Sequence, residues 1–62
     1  MNQDILRRRT KRFLYELQIP VTKFAAKIGF SRELYYRWQK EDFNFSAEKA
    51  QKINEYLKQY GF

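Results

Sequence analysis

The chain has 62 residues, a formal net charge of +6, and neither cysteine nor histidine. A chain this short forms one small domain, and without Cys or His it lacks disulfides, the usual zinc ligands and the Cys–His and Ser–His catalytic pairs. The excess of positive charge suits a polyanionic partner, either nucleic acid or an acidic membrane surface.

The first part of the chain predicts two helices separated by a proline. Apolar and small residues recur at helical spacing over residues 3–18, and we expect them to be buried: Leu6, Thr10, Phe13, Leu14 and Leu17. Pro20 cannot continue this helix. A second helix is predicted over residues 22–28, with Thr22 as its N-cap. Gly29 can adopt the left-handed conformation that ends it.

A third helix is predicted over residues 31–40, with Ser31 as its N-cap. Leu34, Tyr35 and Trp38 share one face of this helix, and their spacing places them in the core. Tyr35 and Trp38 would alternatively suit a stacking platform for single-stranded bases. The helical spacing favours the core over that platform.

The last part of the chain predicts a loop and a fourth helix. Residues 41–45 form the loop, in which Phe43 and Phe45 are available to the core. Ser46 is the predicted N-cap of a helix over residues 46–60, ended by Gly61 in a Schellman motif. Its apolar stripe consists of Ala50, Ile53, Leu57 and Tyr60. Tyr56, Tyr60 and Phe62 either complete the core or form an adhesive edge. No strand pattern occurs, so residues 1–62 are predicted to form a single all-α domain.

The run VTKFAAKIGFSRELYYRW, residues 21–38, contains two short helices joined by a glycine-containing turn. With Ala25 in the first helix, Ile28, Gly29 and Phe30 at the turn, and Ser31 as cap, it resembles the helix-turn-helix of the phage lambda repressor and Cro family. The resemblance extends over residues 5–62. It implies a compact lambda-repressor-like domain of four helices, or of five if a further short helix forms. Val21 departs from the pattern, because many members have a phosphate-contacting Gln there.

This resemblance implies that the outer face of the third helix enters the major groove of DNA. At about 100° per residue, that face spans roughly 140° and lies opposite the buried side chains. It carries the candidate base-reading residues Arg32, Glu33, Tyr36, Arg37 and Lys40. Arginine can pair with guanine, glutamate with cytosine, and tyrosine with a thymine methyl group or a phosphate. The alternative is a solvated face in which Glu33 and Arg37 form an i, i+4 ion pair.

The densest basic cluster lies on the first helix and comprises Arg7, Arg8, Arg9, Lys11 and Arg12. It either keeps the helix solvated or contacts phosphates, which adds affinity without sequence information. The candidate phosphate contacts are Arg8, Lys11, Arg12, Thr22, Lys23 and Ser31. Thr22 is also explained by its expected role as a helix cap.

The sequence therefore predicts a non-enzymatic, sequence-specific binder of double-stranded DNA, such as a Cro-like regulator or the N-terminal domain of a repressor from a phage or mobile element. No catalytic residue, metal, cofactor or small-molecule ligand is expected, and a homodimer could form on DNA. No apolar run suits a signal peptide or a membrane-spanning helix, so we expect a cytoplasmic protein that does not bind membranes. The main alternative is a protein-interaction module on the same fold, as in antitoxins or phage factors that bind host proteins. A basic amphipathic binder of anionic membranes is less suitable, because the apolar faces are needed for the core.

Overall fold

The computed structural model describes residues 3–62, which form four α-helices and no strand. The helices are α1 (Asp4–Glu16), α2 (Val21–Ile28), α3 (Arg32–Gln39) and α4 (Ala47–Lys58). The predicted all-α class is thus confirmed, and each predicted helix is found within about two residues of its expected ends. Within the described residues, α1 packs on α4, α2 packs on α3, and α2 also contacts α4.

Aromatic side chains build most of the core. Phe13, Phe24 and Trp38 are fully buried, and Phe45 plugs the core from the loop between α3 and α4, as the sequence predicts. The ring of Phe13 contacts the rings of Tyr56, Tyr60 and Phe62 at centroid distances of 5.8, 5.4 and 5.3 Å. These three aromatic residues therefore pack against the core, which was one of the two alternatives given for them; the other was an adhesive edge.

Leu34, which the sequence predicts in the core, is only half-buried. Two further residues expected in the apolar faces, Leu17 and Tyr60, are exposed. Leu17 is 42% exposed because α1 ends at Glu16 and Leu17 occupies the C-cap position. Tyr60 is 50% exposed, although one side of its ring rests on Phe13. Both residues lie where a helix is ending, so the helical spacing that places Phe13 and Leu57 inside no longer applies to them.

The turn between α2 and α3 is built as the sequence predicts. Gly29 is the C-cap of α2, with φ +110° and ψ 43°. The backbone N–H groups of Gly29 and Phe30 both donate to the carbonyl of Ala25, at 2.8 and 2.9 Å. Ser31 is the N-cap of α3, and its Oγ accepts from the backbone N–H of Leu34 at 3.2 Å. The chain thus ends one helix and begins the next within residues 29–31.

Candidate nucleic-acid interface

The outer face of α3 is exposed along its whole length. All the predicted base-reading residues are exposed, and Tyr36 is 49% exposed: Arg32, Glu33, Tyr36, Arg37 and Lys40. The opposite face is held in the core by Tyr35 and Trp38, which are 4% and 0% exposed. Because these buried aromatic rings fix the rotation of α3 about its axis, they also decide which side chains face outward.

The charged residues on this face do not form the ion pair of the alternative interpretation, a solvated face. Glu33 lies 3.8 Å from the Nε of Arg32, its neighbour in the chain, instead of forming the expected i, i+4 pair with Arg37. The guanidinium of Arg37 lies over the ring of Phe43, 5.7 Å from the ring centroid. Arg37 therefore reaches beyond the C-terminal end of α3, whereas Arg32 and Glu33 remain at its N-terminal end.

The basic cluster of α1 divides into side chains that face the core and side chains that face solvent. Arg7 is only 7% exposed, which corrects the interpretation of the cluster as a solvated face. Its Nε donates to the carbonyl of Trp38 at 2.5 Å, and its Nη2 donates to the Phe43 carbonyl and to Asn44 Oδ1 at 2.8 and 2.7 Å. Its Nη1 forms an ion pair with Asp4 at 2.9 Å. Arg7 therefore ties α1 to the end of α3.

Arg9 also has a structural role. Its Nε donates to the Phe62 carbonyl at 2.8 Å, and its Nη1 donates to Asn54 Oδ1 at 2.6 Å. Arg9 is half-buried and joins α1 to α4 and to the C-terminal residue. Hydrogen bonds from a charged donor are stronger than neutral ones, so the bond to Asn54 stabilises the packing of α1 on α4 and the bond to the Phe62 carbonyl holds Phe62, which follows α4.

The remaining basic residues of α1 are exposed, which a contact with phosphate requires. Arg8, Lys11 and Arg12 have i, i+3 and i, i+4 spacing, so they share one face of the helix. Arg12 forms an ion pair with Glu16, and the hydrogen bond that its guanidinium donates to the Glu16 carboxylate raises the pKa of Arg12. This pair is fully solvent-exposed and weak, so a phosphate could compete with Glu16 for the guanidinium.

The start of α2 differs from the prediction. Thr22 is not the N-cap; it is the second residue of the helix, and Pro20 occupies the N-cap position with no side-chain cap. Pro20 sets an extended entry into the helix, with φ −62° and ψ 142°, and its carbonyl accepts from Phe24 N at 3.1 Å. Thr22 and Lys23 are exposed in this uncapped first turn, where the helix dipole favours an anion.

Two polar residues that support α3 were missed in the sequence. The side chain of Gln3 is buried; its Oε1 accepts from Trp38 Nε1 at 2.7 Å and from Phe45 N at 3.1 Å, and its Nε2 donates to Phe45 O at 2.8 Å. Arg7 supplies the second support described above. Gln3 and Arg7 precede the buried Thr10 and Leu14 at i, i+4, i+7 and i+11 spacing. Their spacing therefore indicates that Gln3 and Arg7 lie on the buried face of α1, although polar side chains are usually exposed.

The structure places the predicted interface residues in three exposed groups, one each on α1, on α3 and at the start of α2, with Ser31 at the turn before α3. Within residues 3–62 there is no group of acidic residues that could hold a metal ion, and no helix is long and apolar enough to cross a membrane. Comparisons with protein-family models, curated proteins and solved structures find no match to this chain. The function therefore has to be inferred from the residues and their geometry.

Proposed function

We propose that this protein binds double-stranded DNA sequence-specifically through the outer face of α3, with α2, the turn and α3 acting as a helix-turn-helix. The observation that carries the proposal is the division of α3 into a face locked by Tyr35 and Trp38 and a fully exposed face of hydrogen-bonding side chains. A rigid helix with such a face matches the width and the donor–acceptor pattern of the major groove. The net charge of +6 adds attraction to the phosphate backbone.

The proposed base contacts belong to the side chains with the most specific hydrogen-bonding patterns. Arg32 and Arg37 would donate to guanine, and Glu33 would accept from the amino group of cytosine. Tyr36 would contact a thymine methyl group or a phosphate, and Lys40 extends the face beyond the end of the helix. Arg32 and Glu33 lie side by side, with 3.8 Å between Nε and Oε2, so they would contact neighbouring bases.

The proposed phosphate contacts hold the protein on the duplex without reading its sequence. They are the exposed residues of α1, the first turn of α2 and the cap of α3: Arg8, Lys11, Arg12, Thr22, Lys23 and Ser31. The oxygen of Ser31 accepts from Leu34 N, and its hydroxyl hydrogen can still donate to a phosphate oxygen. We further propose that the protein acts as a transcriptional regulator, such as a repressor, and that two copies bind each DNA site.

The experiment that tests this function is selection of bound duplexes from a random DNA pool, followed by affinity measurements across a salt titration. Enrichment of a defined sequence, with affinity that falls steeply with salt, is the expected result. If the protein enriches nothing above a shuffled control pool, the proposal is wrong.

A matched set of variants separates the two kinds of contact. Arg32→Ala and Arg37→Ala should each cost on the order of 1–3 kcal/mol on the selected duplex and reduce the preference over a scrambled duplex. Arg8→Ala and Lys11→Ala should instead weaken binding to both duplexes about equally and reduce the salt slope by ~1 per lost contact. Fluorescence anisotropy with both duplexes measures these effects. Loss of preference in the α1 variants would contradict the assignment of α3 as the reading helix.

A protein-interaction module is the second candidate, and an apolar groove favours it. The groove lies between α1 and α4, has a volume of about 490 Å³, and is lined by Ile5, Leu6, Arg9, Ala47, Ala50, Gln51 and Asn54. Ile5 is 68% exposed beside it. Binding of a protein through this groove would depend weakly on salt, whereas DNA binding through phosphates depends strongly on it. The salt titration above therefore separates the two candidates.

A further inference from the structure

We infer that Phe43 is a positioning residue that holds Arg37 ready for DNA, which makes Arg37 the main specificity-determining arginine of the interface. This inference rests on the proposed function. The guanidinium of Arg37 lies over the Phe43 ring at 5.7 Å from its centroid, which is a cation–π distance. Arg32, the other arginine of the face, forms an exposed ion pair with Glu33 at 3.8 Å.

The loop after α3 brings Phe43 to this position. Glu41 adopts a left-handed conformation with φ +65°, and its N–H donates to the Trp38 carbonyl at 3.0 Å. The N–H of Asp42 donates to the carbonyl of Arg37 itself, also at 3.0 Å. These bonds turn the chain back along α3, so the next residue, Phe43, lies beside the Arg37 side chain.

Phe43 is itself held from two sides. Its ring packs edge-on against Phe45, with 5.1 Å between centroids. Its carbonyl accepts from Nη2 of the buried Arg7 at 2.8 Å. Phe45 is in turn fixed by Gln3, which bonds both its N–H and its carbonyl. The ring on which Arg37 rests is therefore packed against the core and held there by its neighbours.

Stacking leaves Arg37 able to bind. A cation–π contact uses the positive charge of the guanidinium and none of its N–H donors, so the donors of Arg37 remain available to a guanine edge or a phosphate. A long side chain that is already ordered loses less freedom on binding. Arg32 offers the same donors, but its Nε is close to the Glu33 carboxylate and its side chain has no comparable support.

A double-mutant cycle on the selected duplex tests the role of Phe43. Phe43→Leu should lower affinity about two- to fivefold, as expected for loss of an exposed cation–π contact. Phe43→Tyr keeps the ring and should restore affinity to within about twofold of the parent. In an Arg37→Ala background, Phe43→Leu should have almost no further effect, whereas in an Arg32→Ala background it should keep its full effect.

The result that overturns the inference is an equal cost of Phe43→Leu with and without Arg37, since Phe43 would then act through the fold. Urea unfolding of each variant records any such general effect separately. A readout without DNA is the NMR shift of the Arg37 side-chain protons, which the ring should move upfield in the parent and not in Phe43→Leu. If these protons are not shifted in the parent, Arg37 does not lie over the Phe43 ring and the inference is wrong. If the shift is present but the parent selects no duplex, the proposed function fails and the stack has no role in binding DNA.

Discussion

Arg7 and Arg8 are neighbours in the chain, yet only one of them supports the fold. Arg7 is 7% exposed. It donates to two backbone carbonyls and to the side chains of Asn44 and Asp4. Its guanidinium also lies 5.5 Å from the centroid of the Trp38 ring. Arg8 faces solvent on the next side of α1. A difference of about 100° around the helix therefore separates a structural arginine from one that is free to bind phosphate.

Replacing these two arginines should have opposite consequences. Arg7→Ala should reduce the free energy of unfolding by about 3 kcal/mol or more, because it leaves the buried carbonyl of Trp38 and the partly buried carbonyl of Phe43 without the donors of Arg7. Arg8→Ala should change it by less than about 0.5 kcal/mol while weakening DNA binding. Urea unfolding followed by circular dichroism measures both. Equal stabilities of the two variants would mean that the Arg7 network contributes nothing.

Gly29 gives a second test at a single residue. A Cβ added there would meet only the Nζ of Lys49, at an ordinary 3.5 Å, so space does not exclude a side chain. The backbone conformation disfavours a side chain, because residues other than glycine rarely adopt a φ of +110°. We expect Gly29→Ala to cost about 1–2 kcal/mol and Gly29→Val more, measured by thermal unfolding. A Gly29→Val variant that melts within about a degree of the parent would show that Gly29 does not adopt this conformation.

Every helix in residues 3–62 ends in the same way, with a left-handed residue followed by a backbone bond that spans six residues. The left-handed residues are Gln18, Gly29, Glu41 and Gly61. The closing bonds run from Ile19 to Leu14, Phe30 to Ala25, Asp42 to Arg37, and Phe62 to Leu57, at 2.9–3.0 Å. A Schellman-type ending thus reverses the chain after each helix and returns an apolar residue to the core in three of the four cases.

At the two helix ends where the left-handed residue is not glycine, a change to glycine should stabilise the fold. Gln18 is exposed with φ +54°, a conformation that is costly for a residue with a Cβ. Gln18→Gly should raise the free energy of unfolding by about 0.5–1 kcal/mol, because the gain at this φ exceeds the entropic cost of glycine. Gln18→Ala is the control and should give no gain. Chemical denaturation of the three proteins decides the matter; a stabilised alanine variant would assign the effect to the glutamine side chain.

These endings show which parts of the fold follow from the sequence. Gly29 and Gly61 were predicted as helix ends, and Ser31 and Ser46 as caps, because each residue type has a direct conformational reason for its position. The left-handed Gln18 and Glu41 were not predicted, since neither residue type favours that conformation. Thr22 was wrongly assigned as a cap because Pro20, one position before the helix, already sets its entry.

The candidate site was predictable in part for the same reason. The exposed face of α3 follows from helical spacing once Tyr35 and Trp38 are buried. The contact between Arg37 and Phe43 joins a helix to a loop whose path depends on the left-handed Glu41, so spacing within α3 could not reveal it. The roles of Gln3 and Arg7 likewise depend on carbonyls at the far end of α3 and in the following loop.

The sequence contains no histidine, and among residues 3–62 the groups whose pKa values are shifted are an arginine and two tyrosines, which titrate at alkaline pH. The stability of the protein should therefore depend on pH mainly in the alkaline range. Burial raises the pKa of Tyr35 above 10.0 and outweighs the hydrogen bond donated by Gln39, which lowers it. A raised folded-state pKa contributes stability that is present below pH ~10 and is lost as the pH rises through the folded value. We expect unfolding free energy to fall above about pH 10, and to fall less in Tyr35→Phe. Identical alkaline profiles for parent and variant would contradict a role for Tyr35.

The dimensions of the molecule bear on how it would bind DNA. Its Cα atoms span 25 × 21 × 18 Å, whereas one turn of B-DNA is about 34 Å long. A single copy therefore covers less than one turn, and the short α3 can reach only a few base pairs. An interface of that size gives modest affinity and little discrimination among the many sites of a genome.

Two copies on adjacent turns would supply what one copy cannot. We therefore expect the selected DNA to contain two half-sites about one helical turn (~34 Å) apart, occupied by two molecules on the same face of the duplex. Inserting half a turn, about 5 base pairs, between the half-sites should abolish cooperative binding, because the second copy is then rotated to the opposite face. Footprinting and gel shifts on the two duplexes measure this. A footprint confined to one half-site at saturating protein, or cooperativity unchanged by the insertion, would mean that the protein binds DNA as independent monomers.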